Sequence, residues 1–193
     1  MKVLVTGASG FLGRYVCEQL VERGHETGAL VRRPGSEPEG TLAVAGDLTD
    51  REALITAVEG YAPECVIHLA AEIASQRDAK KIQAANVDGT RDLIDACEAA
   101  GVKRFVFAST VVTGEANGEV LTEDSKLPVE TAYGHSKQEG ERMARESKLE
   151  EVIIRPSHVY GPGGWFEEEF VNRLRQPGRF AVIGSGKNWW DVV

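Results

Sequence analysis

The sequence predicts an α/β fold in which a doubly wound parallel sheet is covered by helices on both faces. Short runs rich in Val, Ile and Ala alternate with longer amphipathic segments along the chain, which is typical of βαβ units. The first run, residues 2–6 (KVLVT), is apolar at most positions, as expected for a strand buried on both faces. Because crossovers between parallel strands are right-handed, the strands form one sheet with a helical layer on each side.

Composition limits the function classes that the chain can serve. Its 193 residues are 42% hydrophobic and 27% charged, which suits a globular domain with a sizeable core. The net charge of −8 and the lack of a Lys/Arg run argue against nucleic-acid binding. No apolar run approaches the ~18–20 residues of a membrane-spanning helix. With no signal-peptide pattern at the start of the sequence, we expect a cytoplasmic protein.

The three cysteines, Cys17, Cys65 and Cys97, lie far apart in apolar surroundings. They form no Cys-x-x-Cys pair and no spacing typical of a metal site. We therefore expect buried, reduced thiols and no bound metal.

A glycine-rich turn, residues 6–13 (TGASGFLG), joins the first strand to a helix over residues 11–23. Gly7 permits a tight turn, Gly10 lets the backbone approach a pyrophosphate, and Gly13 lets the helix pack close to the strand. The helix amides and dipole then face the anion. An ordinary strand-to-helix turn is the alternative, but the strand–turn–helix context predicts a Rossmann nucleotide-binding domain. The other cofactor-binding residues predicted here are Ser9, Phe11 and Leu12.

The second strand, residues 26–31, ends in Arg32 and Arg33. An acidic residue at this place would bind the ribose 2′-hydroxyl of NAD. A guanidinium group can instead hold the 2′-phosphate of NADP through paired hydrogen bonds. A solvated arginine pair in a loop is the alternative. We predict that NADP is preferred, with Arg32 at the phosphate, and that NAD is the second choice.

The third strand, residues 41–45, leads to Asp47 and Leu48, which we expect beside the cofactor because ligands of open α/β sheets bind at the carboxyl ends of strands. Asp47 could accept a hydrogen bond from an adenine amino group. Thr49 or Asp50 caps the next helix, residues 51–59, and this gives Asp50 a structural role.

The fourth strand, residues 64–68, runs into Leu69, Ala70 and Ala71. Small side chains there leave room for a dinucleotide across the end of the sheet. His68 has no second ligand at metal spacing, so we interpret it as a core or turn histidine with its hydrogen bonds satisfied.

The second half of the chain continues the alternation. A long helix carries Asn86 and ends at Gly101, and a strand leads into Ser109. An acidic stretch without periodicity then predicts a surface loop of functional importance. In order, the helix, strand, loop, helix and strand occupy residues 79–100, 103–108, 115–131, 132–147 and 151–155.

Tyr133 and Lys137 are four residues apart at a helix start, which places them on one face. The pKa of free tyrosine is about 10, and a neighbouring ammonium is expected to lower it. Lys137 can also hold ribose hydroxyls, and Ser109 could polarise a substrate carbonyl. A Tyr-x-x-x-Lys spacing by itself is common by chance, and such a pair usually just lies on one face of a helix without a catalytic role.

Seven ordered motifs resemble those of the extended short-chain dehydrogenase/reductases, a superfamily that includes the NAD-dependent epimerase/dehydratase and dihydroflavonol reductase-like proteins. The resemblance covers essentially the whole chain. The motifs are residues 6–13, Asp47-Leu48, residues 68–71, residues 86–90, Ser109, Tyr133-x-x-x-Lys137 and Arg155-Pro156.

The resemblance implies a Ser109-Tyr133-Lys137 triad in which Tyr133 exchanges a proton with the substrate oxygen as hydride moves to or from nicotinamide. Lys137 would bind the nicotinamide ribose, and Pro156 and His158 would line the nicotinamide pocket. Asn86 would lie near the cofactor, although a structural bond from helix to loop is an equal reading. Members often pair through helices like 79–100 and 132–147, so a homodimer is open.

Two departures from the family pattern concern the substrate. Val112-Thr113-Gly114 stands where the family often has Val-Tyr-Gly, so a tyrosine contact is missing. Ser109-Thr110-Val111 replaces the Thr-Asp-Glu of sugar-nucleotide dehydratases, which disfavours water elimination.

We expect residues 1–160 to form the NAD(P)-binding domain and residues 161–193 to begin a small substrate-binding region. The resemblance suggests that the chain stops short of a complete region, with Trp165, Trp189 and Trp190 near an unfinished core. The leading hypothesis is an NAD(P)-dependent oxidoreductase acting on a ketone or secondary alcohol. Alternatives are a nucleotide-sugar 4-epimerase with tightly bound NAD and a non-catalytic dinucleotide-binding protein.

Overall fold

The computed structural model describes residues 1–111, 122, 129–164 and 166–176. The chain divides into two compact units, Met1–Arg155 and Pro156–Val193. Several sequence predictions lie outside the described residues: most of the loop 115–131, the Val112-Thr113-Gly114 motif, and the tryptophans Trp165, Trp189 and Trp190.

The first unit is built on one sheet of six parallel strands, as the alternation of elements predicts. The strands lie in the order β3-β2-β1-β4-β5-β6. The direction of strand addition reverses between β1 and β4, which is where nucleotides bind in folds of this kind. The strands are β1 (Lys2–Thr6), β2 (Glu26–Val31), β3 (Leu42–Ala45), β4 (Cys65–His68), β5 (Arg104–Ala108) and β6 (Glu150–Ile154).

Strand register aligns the carboxyl ends at one edge of the sheet. Thr6 pairs with both Leu30 of β2 and His68 of β4, and His68 pairs in turn with Phe107 of β5. The segments that follow β1, β2, β4 and β5 therefore leave the sheet side by side.

Helices cover both faces of the sheet, as predicted. One core cluster joins Leu4, Phe105 and Phe107 to buried residues of α2, α4 and α5, and a second joins Val3 and Val5 to Cys17 of α1. Successive residues of β1 thus point to opposite cores. The helices are α1 (Phe11–Glu22), α2 (Arg51–Tyr61), α3 (Ala79–Ile82), α4 (Gly89–Ala99) and α5 (Ala132–Glu146).

Two helices differ from their predicted form. Helix α2 continues two residues beyond residue 59, because Tyr61 is buried and its hydroxyl donates to the Glu26 carbonyl at 3.1 Å. The predicted single helix 79–100 contains a π-helical turn, Gln83–Asp88, between α3 and α4. The other bounds agree with prediction to within one residue.

The described part of the second unit contains a π-helical turn, Phe166–Val171, followed by α6 (Asn172–Arg175). Glu167 accepts a hydrogen bond from the Gly163 backbone at 2.6 Å, which helps to hold the start of this turn. Within the described ranges, no helix is both long enough and apolar enough to span a membrane.

Candidate active site

The glycine turn after β1 has the tight backbone that its sequence predicts. Gly7 has φ +68°, and a Cβ there would lie 2.8 Å from the Ala70 nitrogen. A Cβ on Gly13 would lie 2.1 Å from the Gly7 carbonyl oxygen. Any larger residue at either position would therefore force the turn away from β4 or from α1.

The first turn of α1 is suited to an anion. Its N-cap, Gly10, makes no side-chain capping bond, and no acidic residue lies in the first turn. The first amides are consequently left for another acceptor, and the helix dipole favours a negative one. Among the described residues, a Cβ on Gly10 would meet only the Gly7 carbonyl within 4 Å, at 3.2 Å, so these residues leave the space beside it open. This open helix start, residues 7–13, is called the phosphate cradle, because its free amides and open space suit a pyrophosphate. Ser9 is exposed there, and Phe11 and Leu12 are half-buried.

Arg32 and Arg33 are exposed just beyond β2. Asp47 lies near enough to Arg32 for their charges to interact. The Asp47 carboxylate accepts bonds from the backbone and the hydroxyl of Thr49, both at 2.9 Å. The backbone bond is the main cause that lowers the pKa of Asp47, and the hydroxyl and Arg32 add to it against the effect of partial burial. An adenine contact by Asp47 stays a prediction.

Two residues beside Asp47 have structural contacts. Asp50 accepts from the Ala53 backbone at 3.0 Å and is the N-cap of α2, as one of the two sequence alternatives predicted. Leu48 packs against the core, and its carbonyl would lie 2.5 Å from a Cβ on Gly89. The segment after β3 thus lies directly against the start of α4.

His68 is a core histidine with both ring nitrogens satisfied, as predicted. Nδ1 and the Thr6 hydroxyl are 2.7 Å apart, and Nε2 and the Thr90 hydroxyl are 2.9 Å apart. Burial, followed by the charge of Lys137, lowers the pKa of His68 to about 3. The ring is therefore neutral near pH 7. Leu69, Ala70 and Ala71, the predicted cofactor residues that follow, are all half-buried.

Asn86 lies in the π-helical turn and makes the bond from helix to loop. Its side-chain oxygen accepts from the Glu72 backbone at 2.7 Å, and its amide donates to the Glu72 carbonyl at 2.9 Å and to the Ser136 hydroxyl at 3.0 Å. Ser136, which the sequence did not single out, donates to the Tyr133 carbonyl at 2.7 Å. A cofactor contact by Asn86 stays a prediction.

Lys137 reaches from α5 to the end of β5. Its Nζ donates to the Ala108 carbonyl at 2.8 Å and lies 5.1 Å from the centre of the Phe107 ring and 5.8 Å from that of Tyr133. Burial lowers the pKa of Lys137 to about 8. This contact places the amine beside Ser109, the residue that follows Ala108.

The pKa of Tyr133 moves opposite to the sequence-based expectation. We expected the nearby lysine to lower it, but burial raises it, and the lysine is not among the causes of the shift. Burial disfavours a phenolate, and Lys137 directs its amine to the Ala108 carbonyl. Near pH 7 the phenol is therefore protonated and is suited to donate a proton.

Ser109 is 4% exposed and is fixed by its backbone amide, which donates to the Ile154 carbonyl at 2.8 Å. Within the described part of the chain, its Oγ is the one buried side-chain polar atom that lacks a hydrogen-bond partner. The hydroxyl influences the pKa of Glu141. However, the Ser109 hydroxyl and the Glu141 carboxylate do not meet hydrogen-bond geometry, so Glu141 is an electrostatic neighbour of Ser109. An unpartnered buried hydroxyl costs stability, which is typical of a group kept for a ligand.

Glu141, one turn after Lys137, was missed by the sequence reasoning. Its buried carboxylate binds Arg155 at 2.7 and 2.6 Å and Arg145 at 2.9 Å. Burial raises its pKa, but the bonds from Arg155 and Arg145 and the nearby Ser109 outweigh this and lower it to about 2. The ion pair ties α5 to the end of β6. The sequence features that could have indicated this ion pair are a glutamate four residues after Lys137 and an arginine directly after the sixth strand.

Pro156 and His158 are half-buried and belong to the second compact unit, so their contact with nicotinamide stays a prediction. Among the residues that the structure describes, no group of three His, Cys, Asp or Glu side chains could hold a metal ion. The three cysteines are buried and free.

Residues 3–193 match the model of a family described as NAD dependent epimerase/dehydratase. The chain belongs to this family. It thereby lies within the extended short-chain dehydrogenase/reductases, as the ordered motifs predicted.

Relatives of the family differ in chemistry. The chain is 35% identical to a 2-alkyl-3-oxoalkanoate reductase of Stenotrophomonas maltophilia, covering 100% of this chain and 61% of the reductase. It is 31% identical to a 3-beta-hydroxysteroid dehydrogenase of Mycolicibacterium neoaurum, in a match that covers 97% of this chain and 55% of the dehydrogenase. The structure of a UDP-glucose 4-epimerase of Thermus thermophilus with NAD superposes on this chain with a TM-score of 0.77 at 31% sequence identity. The superposition covers 84% of this chain and 57% of the epimerase. The chain thus spans little more than half the length of these relatives.

Proposed function

We propose that this chain carries the cofactor and proton-transfer site of an NAD(P)-dependent reductase acting on a ketone. The observation that supports this most is the bond from Lys137 Nζ to the Ala108 carbonyl, 2.8 Å long. It brings the lysine of α5 to the strand end that carries the unpartnered hydroxyl of Ser109. The cofactor would supply hydride when bound.

Each residue of the proposed triad has a role that its surroundings suit. The Ser109 hydroxyl donates a hydrogen bond to the substrate carbonyl, and Tyr133 transfers its phenolic proton to that oxygen as the alcohol forms. The raised pKa of Tyr133 favours this donor role. The Lys137 ammonium lies 5.8 Å from the centre of the Tyr133 ring, and burial of the phenol favours reprotonation of the phenolate that remains. This arrangement favours reduction over alcohol oxidation.

The test is replacement of Tyr133 by Phe, which keeps the ring and removes the phenolic hydroxyl that carries the proton. With NADPH and a substrate panel of a 2-alkyl-3-oxoalkanoate, a 3-oxosteroid and UDP-glucose, we expect kcat to fall at least a hundredfold. The dissociation constant for NADPH should change less than threefold. A Tyr160→Phe variant, in the second unit, is the matched control. Retention of wild-type kcat by Tyr133→Phe would remove the proton donor from the proposal.

NADP is the proposed cofactor because β2 ends without an acidic residue and is followed directly by Arg32 and Arg33. Arg32 lies close enough to Asp47, after β3, for their charges to interact. A charge-assisted bond to a 2′-phosphate is worth about 1.5–3 kcal/mol, enough for a preference of tenfold or more. The NAD in the Thermus epimerase is a property of that protein.

Fluorescence titration with NADPH and NADH measures this preference. We expect tighter binding of NADPH, and Arg32→Ala should reduce the ratio of the two affinities by about tenfold. Arg23→Ala, which removes an exposed arginine beyond the other end of α1, should leave the ratio unchanged. Equal affinities in the parent protein would contradict the NADP assignment.

A nucleotide-sugar 4-epimerase is the second candidate, favoured by the superposition with the Thermus enzyme. An epimerase first transfers hydride from the sugar to oxidised NAD and then returns it, so UDP-glucose would be converted with no net change in the cofactor. A protein that binds dinucleotide and turns over no member of the panel would instead support the non-catalytic alternative.

A further inference from the structure

A chain of buried polar side chains links the glycine turn to the start of α5. It comprises Thr6, His68, Thr90, Asn86 and Ser136, each at most 3% exposed. Buried polar groups are costly unless they are paired, and a satisfied network fixes one arrangement of the elements that contribute to it. These residues come from β1, β4, the π-helical turn, α4 and α5.

The first part of the network holds the segment after β4. The Thr6 hydroxyl accepts from the Ala70 backbone at 3.2 Å and contacts His68, whose other nitrogen contacts the Thr90 hydroxyl. Thr90 in turn donates to the Asn86 carbonyl at 2.6 Å. Asn86 is thereby fixed by its backbone to the strand ends at the nucleotide turn.

The second part of the network reaches Tyr133. The Asn86 amide uses both of its protons, one on the Glu72 carbonyl and one on the Ser136 hydroxyl. The Ser136 hydroxyl in turn donates a hydrogen bond to the Tyr133 carbonyl at 2.7 Å. The first turn of α5 is therefore held against the loop after β4 by one asparagine and one serine.

The π-helical turn, Gln83–Asp88, is where this link leaves the long helix. A π-turn is an insertion that shifts the side chains after it, and such turns occur frequently at functional sites. Asn86 and Thr90 both face the interior here. The insertion thus coincides with the residue that joins both halves of the network.

We propose that Ser136 and Asn86 are positioning residues that set the place of Tyr133 relative to the loop after β4. This inference rests on the proposed role of Tyr133 as proton donor. Ser136 touches neither the reacting atoms nor the phosphate cradle. It acts through the Tyr133 backbone, so removal of the Ser136 hydroxyl should slow the proton-transfer step and leave the affinity for the cofactor unchanged.

The experiment compares Ser136→Ala with Ser147→Ala. The Ser147 hydroxyl donates to the Ala144 carbonyl at 2.7 Å, the same three-residue bond at the other end of α5 but without an asparagine partner. We expect Ser136→Ala to lower kcat about tenfold with less than a twofold change in the NADPH dissociation constant. Hydrogen exchange of the amides in residues 131–137 should accelerate. Ser147→Ala should leave kcat within twofold, and Ser136→Thr, which keeps the hydroxyl, should restore most of it.

Ser136→Cys, whose thiol fills the space but bonds weakly, replaces the alanine variant if that variant does not fold. The proposal is overturned if kcat of the substituted protein stays within twofold of the parent while Tyr133→Phe is inactive. It is equally overturned if Ser147→Ala loses as much activity. An active Tyr133→Phe would instead remove the proposed function, and with it the group to be positioned.

Discussion

His68 shows how a single buried residue sets the response of the protein to acid. Its ring accepts and donates between two threonine hydroxyls and has its pKa lowered to about 3. In the unfolded chain the pKa of histidine is about 6.5, so the unfolded state binds a proton first as the pH falls. The stability associated with neutral His68 is therefore present above pH 6.5 and is lost as the pH falls towards 3.

We predict that the free energy of unfolding falls by about 1.4 kcal/mol per pH unit between roughly pH 6 and 4.5. Below about pH 4.5, protonation of Glu141 in the unfolded chain adds to the loss, because its folded pKa is about 2. Urea unfolding of His68→Gln should show a flatter profile over pH 6 to 4.5. His135→Gln, which replaces an exposed histidine of α5, should keep the parent slope. Identical slopes for His68→Gln and the parent would contradict the prediction.

At this scale the sequence predicted residues whose roles are local. The turn conformation of Gly7, the capping by Asp50 and the core role of His68 follow from short-range patterns and proved correct. The expected fall in the pKa of Tyr133 was wrong, because this pKa depends on how deeply tertiary packing buries the phenol. Ser136 and Glu141 were missed for the same reason: their partners lie 50 and 14 residues away.

At the scale of elements, α5 approaches the sheet closely because Gly140 has no side chain. A Cβ there would lie 2.3 Å from the Phe107 ring, whose face also neighbours Lys137. Gly140 therefore determines how near the proposed triad helix comes to β5.

Gly140→Ala is predicted to destabilise the protein by about 1–3 kcal/mol, since either the ring or the helix must move. Gly60 is a matched helical glycine in α2, and a Cβ added there would meet no atom of the described ranges within 4 Å. Gly60→Ala should stabilise by about 0.5–1 kcal/mol through helix propensity alone. Urea midpoints measure both changes, and a shift of the same sign in the two variants would refute the packing argument.

Element types were predictable because strands and helices alternate with clear periodicity. The π-helical turn was not, because one inserted residue leaves the apolar pattern of residues 79–100 readable as a single helix. The extension of α2 to Tyr61 likewise depends on a partner in β2, since the Tyr61 hydroxyl bonds to the Glu26 carbonyl.

At the scale of the whole molecule, the doubly wound parallel sheet and the family resemblance predicted a dinucleotide at the carboxyl ends of the strands. The cradle at α1 and the arginines beyond β2 both lie at carboxyl ends of strands. The homodimer through residues 79–100 and 132–147 stays a prediction, as does a domain boundary at residue 160.

Cofactor binding should raise the stability of the whole chain. At a hundred times its dissociation constant, NADPH is expected to add about 2.7 kcal/mol to the free energy of unfolding. Gly10→Ala should fold, since its Cβ would lie 3.2 Å from one carbonyl, yet the methyl group would occupy space that the pyrophosphate needs. We expect this variant to lose most of the NADPH-induced rise in Tm, while Gly60→Ala keeps it. An unchanged rise in Gly10→Ala would place the phosphates elsewhere.

The pairing of β1 with both β2 and β4 also sets an order of events during synthesis of the chain. The strand β1 can meet β2 once residue 31 is available, but the close approach of Gly7 to Ala70 requires residue 70. All strands that flank the phosphate cradle are then present, while Tyr133 and Lys137 have yet to be translated. Because folding can begin as the chain emerges from the ribosome, the proposed nucleotide-binding edge can assemble before the proposed proton donor exists.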